Sequence, residues 1–322
     1  MFEKLKTPAF LRAAREELAS GTPVLLFKTL LSFLFVYLIA GLLQSVLLVP
    51  VMLGVLFSSE EYSVILSAML ETQDQTPVLE AVERLLQTDA IVVATLFATA
   101  ILGVSAIFYC RSFEKRSLLS MGVRKKRALS SSLLGFALAF LLVFGAVAFV
   151  YYFGAGTLTR AENFRPILFL LLCVGFLVRG LAEELLFRGY LTVSLARGRS
   201  LWASVLISSF LYAYFHRTGA SAGGVAFLNF FLFGMLASLF MIRFGSLWGA
   251  AALHAGWYLG EALLCGSAVG GEVFPVSILS LLPAEGSALV SGGGFGLEGG
   301  IAVTCMLTLG VAILGMIPTK ED

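Results

Sequence analysis

Apolar runs long enough to cross about 30 Å of hydrocarbon recur near residues 24–57, 90–110, 130–154, 166–196, 201–216, 225–243, 246–264 and 299–317. They predict an all-α, polytopic membrane protein with about eight transmembrane helices. Pro50 lies inside the first run and predicts a bend there. The fourth run begins fully apolar and turns polar in its second half, and the fifth is short. Residues 8–20 put Phe10, Leu11, Ala14 and Leu18 on one helical face, predicting an interfacial helix before the first crossing. Residues 265–298, rich in Gly and Ser, read as a loose outer loop, and the Gly292–Gly294 run lacks the Lys and Ser/Thr of a phosphate-binding loop. The expected organisation is an interfacial helix at 1–23, three crossings and their loops at 24–165, a core at 166–264 enclosing a polar site, and an outer loop with the last crossing at 265–322.

Composition sharpens this reading. The chain of 322 residues is 59% hydrophobic and 13% charged, with a mean hydropathy of +0.95. That leaves too little polar surface to coat a soluble globule, which excludes a cytosolic enzyme and makes the lipid bilayer the first partner. A net charge of +2 carries no basic excess to neutralise a phosphate backbone, so nucleic-acid binding is not expected. Cys110, Cys173, Cys265 and Cys305 lack CxxC spacing and read as buried small hydrophobes. The first 23 residues are too charged for a signal peptide and the following run is too long for a cleavable one, so it reads as a retained anchor.

Charge placement sets the expected orientation. The stretch 111–127 holds Arg111, Lys115, Arg116, Arg124, Lys125, Lys126 and Arg127, whereas 58–89 has Arg84 among seven acidic residues. Both termini are therefore expected to face the cytoplasm. Arg197, Arg199, Arg243 and Lys320 agree in parity, and the basic loop reads as a solvated topology signal. No internal repeat suggests a transporter. Gly245 with Gly249, and Gly256 with Gly260, predict close helix packing.

Ionisable residues within a hydrocarbon span cost roughly 2.5–3.5 kcal/mol each, so a cluster of them marks a candidate site. Here the cluster is Arg179, Glu183, Glu184 and Arg188, with i,i+4 spacing that pairs each carboxylate with an arginine. The only histidines, His216 and His254, fall in later spans. If the chain turns near Gly198–Ser200, Glu183 and His216 each lie about 16 residues from the turn, roughly 25 Å along antiparallel helices, and so share one depth. His254 lies only about 10 residues past its own turn and is level with them only if the first hairpin protrudes further. A carboxylate and an imidazole meeting in a dry site can together deprotonate a water for amide hydrolysis. A second imidazole can donate to the oxyanion.

These residues resemble the CPBP family of intramembrane endopeptidases, which includes the type II CAAX prenyl proteases and bacteriocin-processing or immunity (Abi-like) proteins. The EExxxR motif reads Glu183-Glu184-Leu-Leu-Phe-Arg188, followed by Gly189. The FxxxH motif reads Tyr212-Ala-Tyr-Phe-His216, and the HxxxN-type motif reads His254-Ala-Gly-Trp-Tyr258. Gly234 and Arg243-Phe-Gly-Ser-Leu-Trp248 resemble the family's approach to the last histidine. The resemblance covers roughly 166–264. It implies a metal-independent glutamic protease without a cofactor, in which Glu183 and His216 activate water, Glu184 and Arg188 support the site, and His254 helps form the oxyanion hole. Tyr212, Trp257 and Tyr258 are expected to meet a peptide or protein substrate, prenylated or not, and the expected location is a bacterial cell membrane. Tyr258 departs from the family's asparagine and keeps a second reading in play, a non-catalytic scaffold or immunity protein. Glu261 reads as a solvated carboxylate at a helix end. HExxH is missing, so zinc would have to be held by His216, His254 and Glu183. The Ser221 stretch looks rhomboid-like, but its depth does not match His254.

Overall fold

The computed structural model describes residues 7–18, 24–59, 61–71, 76–162, 164–216 and 223–318. Ser221 and Lys320 lie outside them. In hydrocarbon every backbone N–H and C=O must be satisfied within its own segment, and the apolar runs accordingly form helices. Helix α1 is Ala9–Glu16, α2 is Leu26–Ser58, α3 is Glu61–Glu71 and α4 is Thr76–Leu86. Then come α5 at Asp89–Ser112, α6 at Ala128–Tyr152, α7 at Pro166–Ala196, α8 at Leu201–His216 and α9 at Gly224–Phe244. Helix α10 is Leu247–Tyr258, extended by a π-helical stretch at Leu259–Leu264, and α11 is Ile301–Met316.

Each of the eight apolar runs is thus helical. Helices α2, α5, α6, α7 and α9 are long and apolar enough to cross a membrane, while α8 and α11 are shorter apolar helices. The chain is an integral, multi-pass membrane protein. Helix α2 continues through Pro50 without interruption.

Three expectations need correction. The apolar face of α1 does not lie free at an interface: Phe10, Leu11 and Ala14 are buried against the 119–121 turn and the end of α7. There Arg15 donates to the Ala196 carbonyl at 3.0 Å and Glu17 accepts from the Ser117 amide at 3.0 Å. The basic segment 111–127 is not wholly solvated either. Arg116 is buried and donates to Ser194 Oγ at 2.8 Å and to the Gly189 carbonyl at 2.9 Å. Finally, residues 265–300 are not loose. Leu279–Pro283 pairs antiparallel with Gly156–Arg160, Gly156 facing Pro283 and Arg160 facing Leu279, a two-stranded ribbon in an otherwise helical protein. Phe274, Val276, Leu281, Phe295 and Leu297 of this segment are buried. Glycine explains the tightness: at Gly296, with φ +97°, a Cβ would sit 1.8 Å from the Ala268 carbonyl oxygen. What composition reads as slack is close backbone packing. Among the cysteines, Cys110 and Cys265 are buried, whereas Cys305 is exposed.

Close approach also builds the core. A Cβ on Gly249 would lie 3.0 Å from Ser131 Cβ, and one on Gly256 would lie 2.9 Å from Ala139 Cβ, so α10 packs directly on α6. Gly245 instead ends α9 in the left-handed conformation. Segment 111–127, the turn after α7 and the turn between α9 and α10 gather at one end of the bundle, where Leu247 N–H donates to the Gly122 carbonyl at 2.9 Å.

Candidate active site

Helix α7 carries the charged cluster and packs against α10 where a side chain is least tolerated: a Cβ on Gly180 would lie 2.8 Å from the Ala255 nitrogen. After Glu184 the helix widens into a π-helical stretch, Leu185–Thr192, closed by a Thr192 Oγ1 to Phe187 carbonyl bond of 2.8 Å. Such widening is frequent at functional sites. Glu183, Glu184 and Arg188 are all buried.

The three motifs converge. Arg179 Nε donates to Glu183 Oε1 at 2.9 Å, and Glu183 Oε2 lies 2.9 Å from His216 Nε2 and 3.5 Å from His254 Nε2. His216 Nδ1 is 2.8 Å from the Tyr212 carbonyl oxygen. A carbonyl only accepts, so Nδ1 carries a hydrogen, and the Glu183–His216 contact must itself contain one proton. Beneath this pair, Glu184 Oε1 accepts from Arg188 Nη1 and from His254 Nδ1, both at 2.8 Å. The Tyr212 hydroxyl is 3.3 Å from His254 Nε2, and its ring stacks on His216 with centroids 3.9 Å apart.

His254 is level with Glu183 because the first hairpin does protrude. Gly189 packs against Met121, whose neighbour Gly122 is bonded to Leu247, so the α9–α10 turn sits near the height of Gly189. Helix α7 runs about seven residues further before turning, roughly 10 Å at 1.5 Å per residue.

A cavity of about 200 Å³ opens on one side of the cluster, its walls including Arg179, Glu183, His216, Tyr258, Glu272 and Glu298. Tyr37 of α2, Phe187, Phe215 and Phe230 add an apolar rim. Tyr258 is on that wall, its ring 4.5 Å beneath the Arg179 guanidinium carbon. The structure does not bring Tyr212 or Trp257 to that wall. The Tyr212 phenol is engaged by His254, and the Trp257 indole donates to Glu261 Oε2 at 2.8 Å. Glu184, Arg188 and His254 likewise lie behind the wall. Because Glu183 and His216 touch directly, a water could bind over them from the cavity but not between them.

Glu261 is fully buried, not solvated, and also accepts from the Glu298 amide at 3.3 Å. Glu298 and Glu272 join the wall from the 265–300 segment, and no local spacing in the sequence announces them. Among the described residues, no group of three or more His, Cys, Asp or Glu is arranged to hold a metal ion.

No curated protein matches the chain. Residues 165–260, a little under a third of the chain, match the family model described as Rce1-like, type II CAAX prenyl endopeptidase. The match spans the three motifs whose side chains meet around Glu183, and over this stretch the chain is similar to the type II CAAX prenyl endopeptidases.

Proposed function

We propose that the chain is an intramembrane endopeptidase in which a water, activated by Glu183 and His216, hydrolyses a peptide bond without a metal. The observation that carries this reading is the 2.9 Å contact between Glu183 Oε2 and His216 Nε2 on the wall of one cavity. The pair holds one proton; with that proton on His216, the carboxylate can accept a second from a water bound over it while the water's oxygen attacks the carbonyl carbon. Charge then develops on the carbonyl oxygen. Arg179 faces the cavity with its side chain 23% exposed, and only its Nε is engaged by Glu183. Its terminal nitrogens, with the Tyr258 hydroxyl, are the donors best placed for that oxygen.

The resemblance assigns the oxyanion to His254, but its Nδ1 hydrogen is committed to Glu184 and its Nε2 is directed at Tyr212 and Glu183. It serves better as a positioning residue that locks Glu183 and Tyr212. Glu184 and Arg188 form the neutralised floor. The apolar rim of Tyr37, Phe187, Phe215 and Phe230 suits a substrate with apolar groups beside the scissile bond, a prenylated peptide or a membrane-embedded segment. Arg15, Arg116, Arg197 and Arg243 gather at one end of the bundle with the 111–127 segment, which supports both termini facing the cytoplasm.

The test presents prenylated and unprenylated peptides to the purified protein with and without a chelator. Cleavage that survives chelation and is abolished by Glu183→Gln is expected; chelator-sensitive cleavage overturns the metal-independent mechanism. The second reading, a non-catalytic scaffold, draws on Tyr258 in place of the family's asparagine. It predicts a folded Glu183→Gln variant whose partner binding is unchanged.

A further inference from the structure

Hydrolysis needs a proton on the departing nitrogen as well as a base for the water. Glu183 is gripped by Arg179, lies beside two imidazoles and is already assigned to the water. A separate group suited to giving up a proton lies on the same cavity wall. Glu298 lies outside the family match and is 6% exposed. The surrounding segment is fastened through its main chain. The Glu298 amide donates to Glu261, its carbonyl accepts from Asn229 Nδ2 at 2.8 Å, and the Leu297 amide donates to Ser267 Oγ at 3.1 Å. Asn229 is itself fixed by donating to the Gly300 carbonyl at 2.9 Å and accepting from Thr304 Oγ1 at 2.7 Å. These bonds leave the carboxyl group on the cavity wall, where the Gly270 amide and the Trp257 indole also face it.

Among the described residues, no arginine, lysine or histidine nitrogen comes within 4.0 Å of the Glu298 carboxyl, unlike those of Glu183 and Glu184. Its neighbour is another buried carboxyl, Glu261, also without a cation. Two such groups side by side cannot both ionise at low cost, so the pair retains a proton, and Glu298 is the member that reaches the cavity.

We propose that Glu298 is the acid that protonates the leaving nitrogen, an assignment that rests on the hydrolytic reading above. The water's oxygen bonds to the carbonyl carbon and its proton goes to the Glu183–His216 pair. As the C–N bond breaks, its electron pair takes the proton from the Glu298 carboxyl. Glu298 regains a proton from the Glu183–His216 pair as the products leave, and one water is consumed. The groups facing Glu298 are Arg179 and Glu183 from α7, His216 from α8, Tyr258 and Glu261 from α10 and its extension, and Glu272 from its own segment. Burial pushes the Glu298 carboxyl up to about 7, against the opposing pull of His216 and Arg179. Its proton is therefore present below neutral pH and lost above it.

The experiment compares wild type, Glu298→Gln, Glu298→Asp and Glu183→Gln in micelles against one cleavable peptide across pH. Glu298→Gln is expected to lower kcat on the order of 10²-fold with KM unchanged and to abolish the decline in rate above neutral pH. Glu298→Asp is expected to recover part of the rate together with that decline. In infrared difference spectra, wild type against Glu298→Gln should reveal a protonated carboxyl that titrates near neutrality. If Glu183→Gln is inactive while Glu298→Gln keeps the wild-type rate and pH profile, or no titrating carboxyl appears, this assignment alone falls. If Glu183→Gln still cleaves, the parent reading falls and takes this one with it.

Discussion

Replacing Arg188 by leucine isolates the cost of the buried charge that anchors the site. Glu184 is completely buried; its Oε1 is held by Arg188 and His254, and its Oε2 has no hydrogen-bond partner among the described residues. Arg188→Leu leaves this carboxylate with one imidazole as its only donor. Removing one member of a buried ion pair costs about 3–5 kcal/mol. The other losses are smaller. Arg188 Nη2 also donates to the Gly234 carbonyl at 3.2 Å, but that oxygen keeps its bond from Ser238 at 2.8 Å. The guanidinium's place 4.6 Å over the Tyr212 ring adds about 1 kcal/mol. The total is set by the uncompensated charge, so a double variant that removes the charge, Glu184→Gln with Arg188→Met, should recover most of the loss. Thermal unfolding in micelles reads this directly, at about 1.5 °C of Tm per kcal/mol for a chain of 322 residues. The single variant should melt at least about 4 °C below wild type and the double should lie closer to it. A single variant as stable as wild type, or a double no better than the single, refutes the reasoning.

Tyr212→Phe removes the hydroxyl facing His254 and keeps the ring stacked on His216; stability should change by no more than about 1 kcal/mol, while kcat falls with KM unchanged in peptide cleavage. Gly180→Val drives a branched side chain into the α10 backbone at Ala255, and overpacking of about 1–3 kcal/mol should separate Glu183 from His254, read as reduced folded yield and lost cleavage. At Glu17 burial opposes ionisation, but hydrogen bonds from Ser117 outweigh it and hold the carboxyl below its usual range. A lowered folded-state value stabilises the docked α1 above the unfolded-state value and loses that contribution as pH falls through the folded one. Protection factors at residues 9–17, taken against the intrinsic exchange rate at each pH, should therefore fall in acid, and Glu17→Gln should show lower protection at neutral pH with a weaker pH dependence.

The helices were legible because bilayer thickness dictates run length, and α8, with 16 residues one of the shorter apolar helices, follows the turn at 198–200. Equal spacing from that turn also brought Glu183 and His216 together before any coordinates. His254 was harder. Its depth depends on segment 111–127 wedging under the α9–α10 turn, a tertiary contact with no local periodicity. The 265–300 segment was misread because glycine has two opposite uses, slack and close approach, and composition does not distinguish them. Gly296, Glu298 and the burial of Glu261 all follow from the second use. Trp257 adjoins Tyr258 in sequence but points about 100° around the helix from it, toward Glu261 and away from the cavity.

The proposed chemistry stands on Glu183 and His216 acting as one unit. Single-turnover cleavage by wild type, Glu183→Gln, His216→Gln and the double variant tests that directly. Each single variant should lose nearly all activity, and the double should be no slower than the worse single, because residues that act together are not additive. Near-normal cleavage by Glu183→Gln, or losses that multiply in the double, would contradict the account.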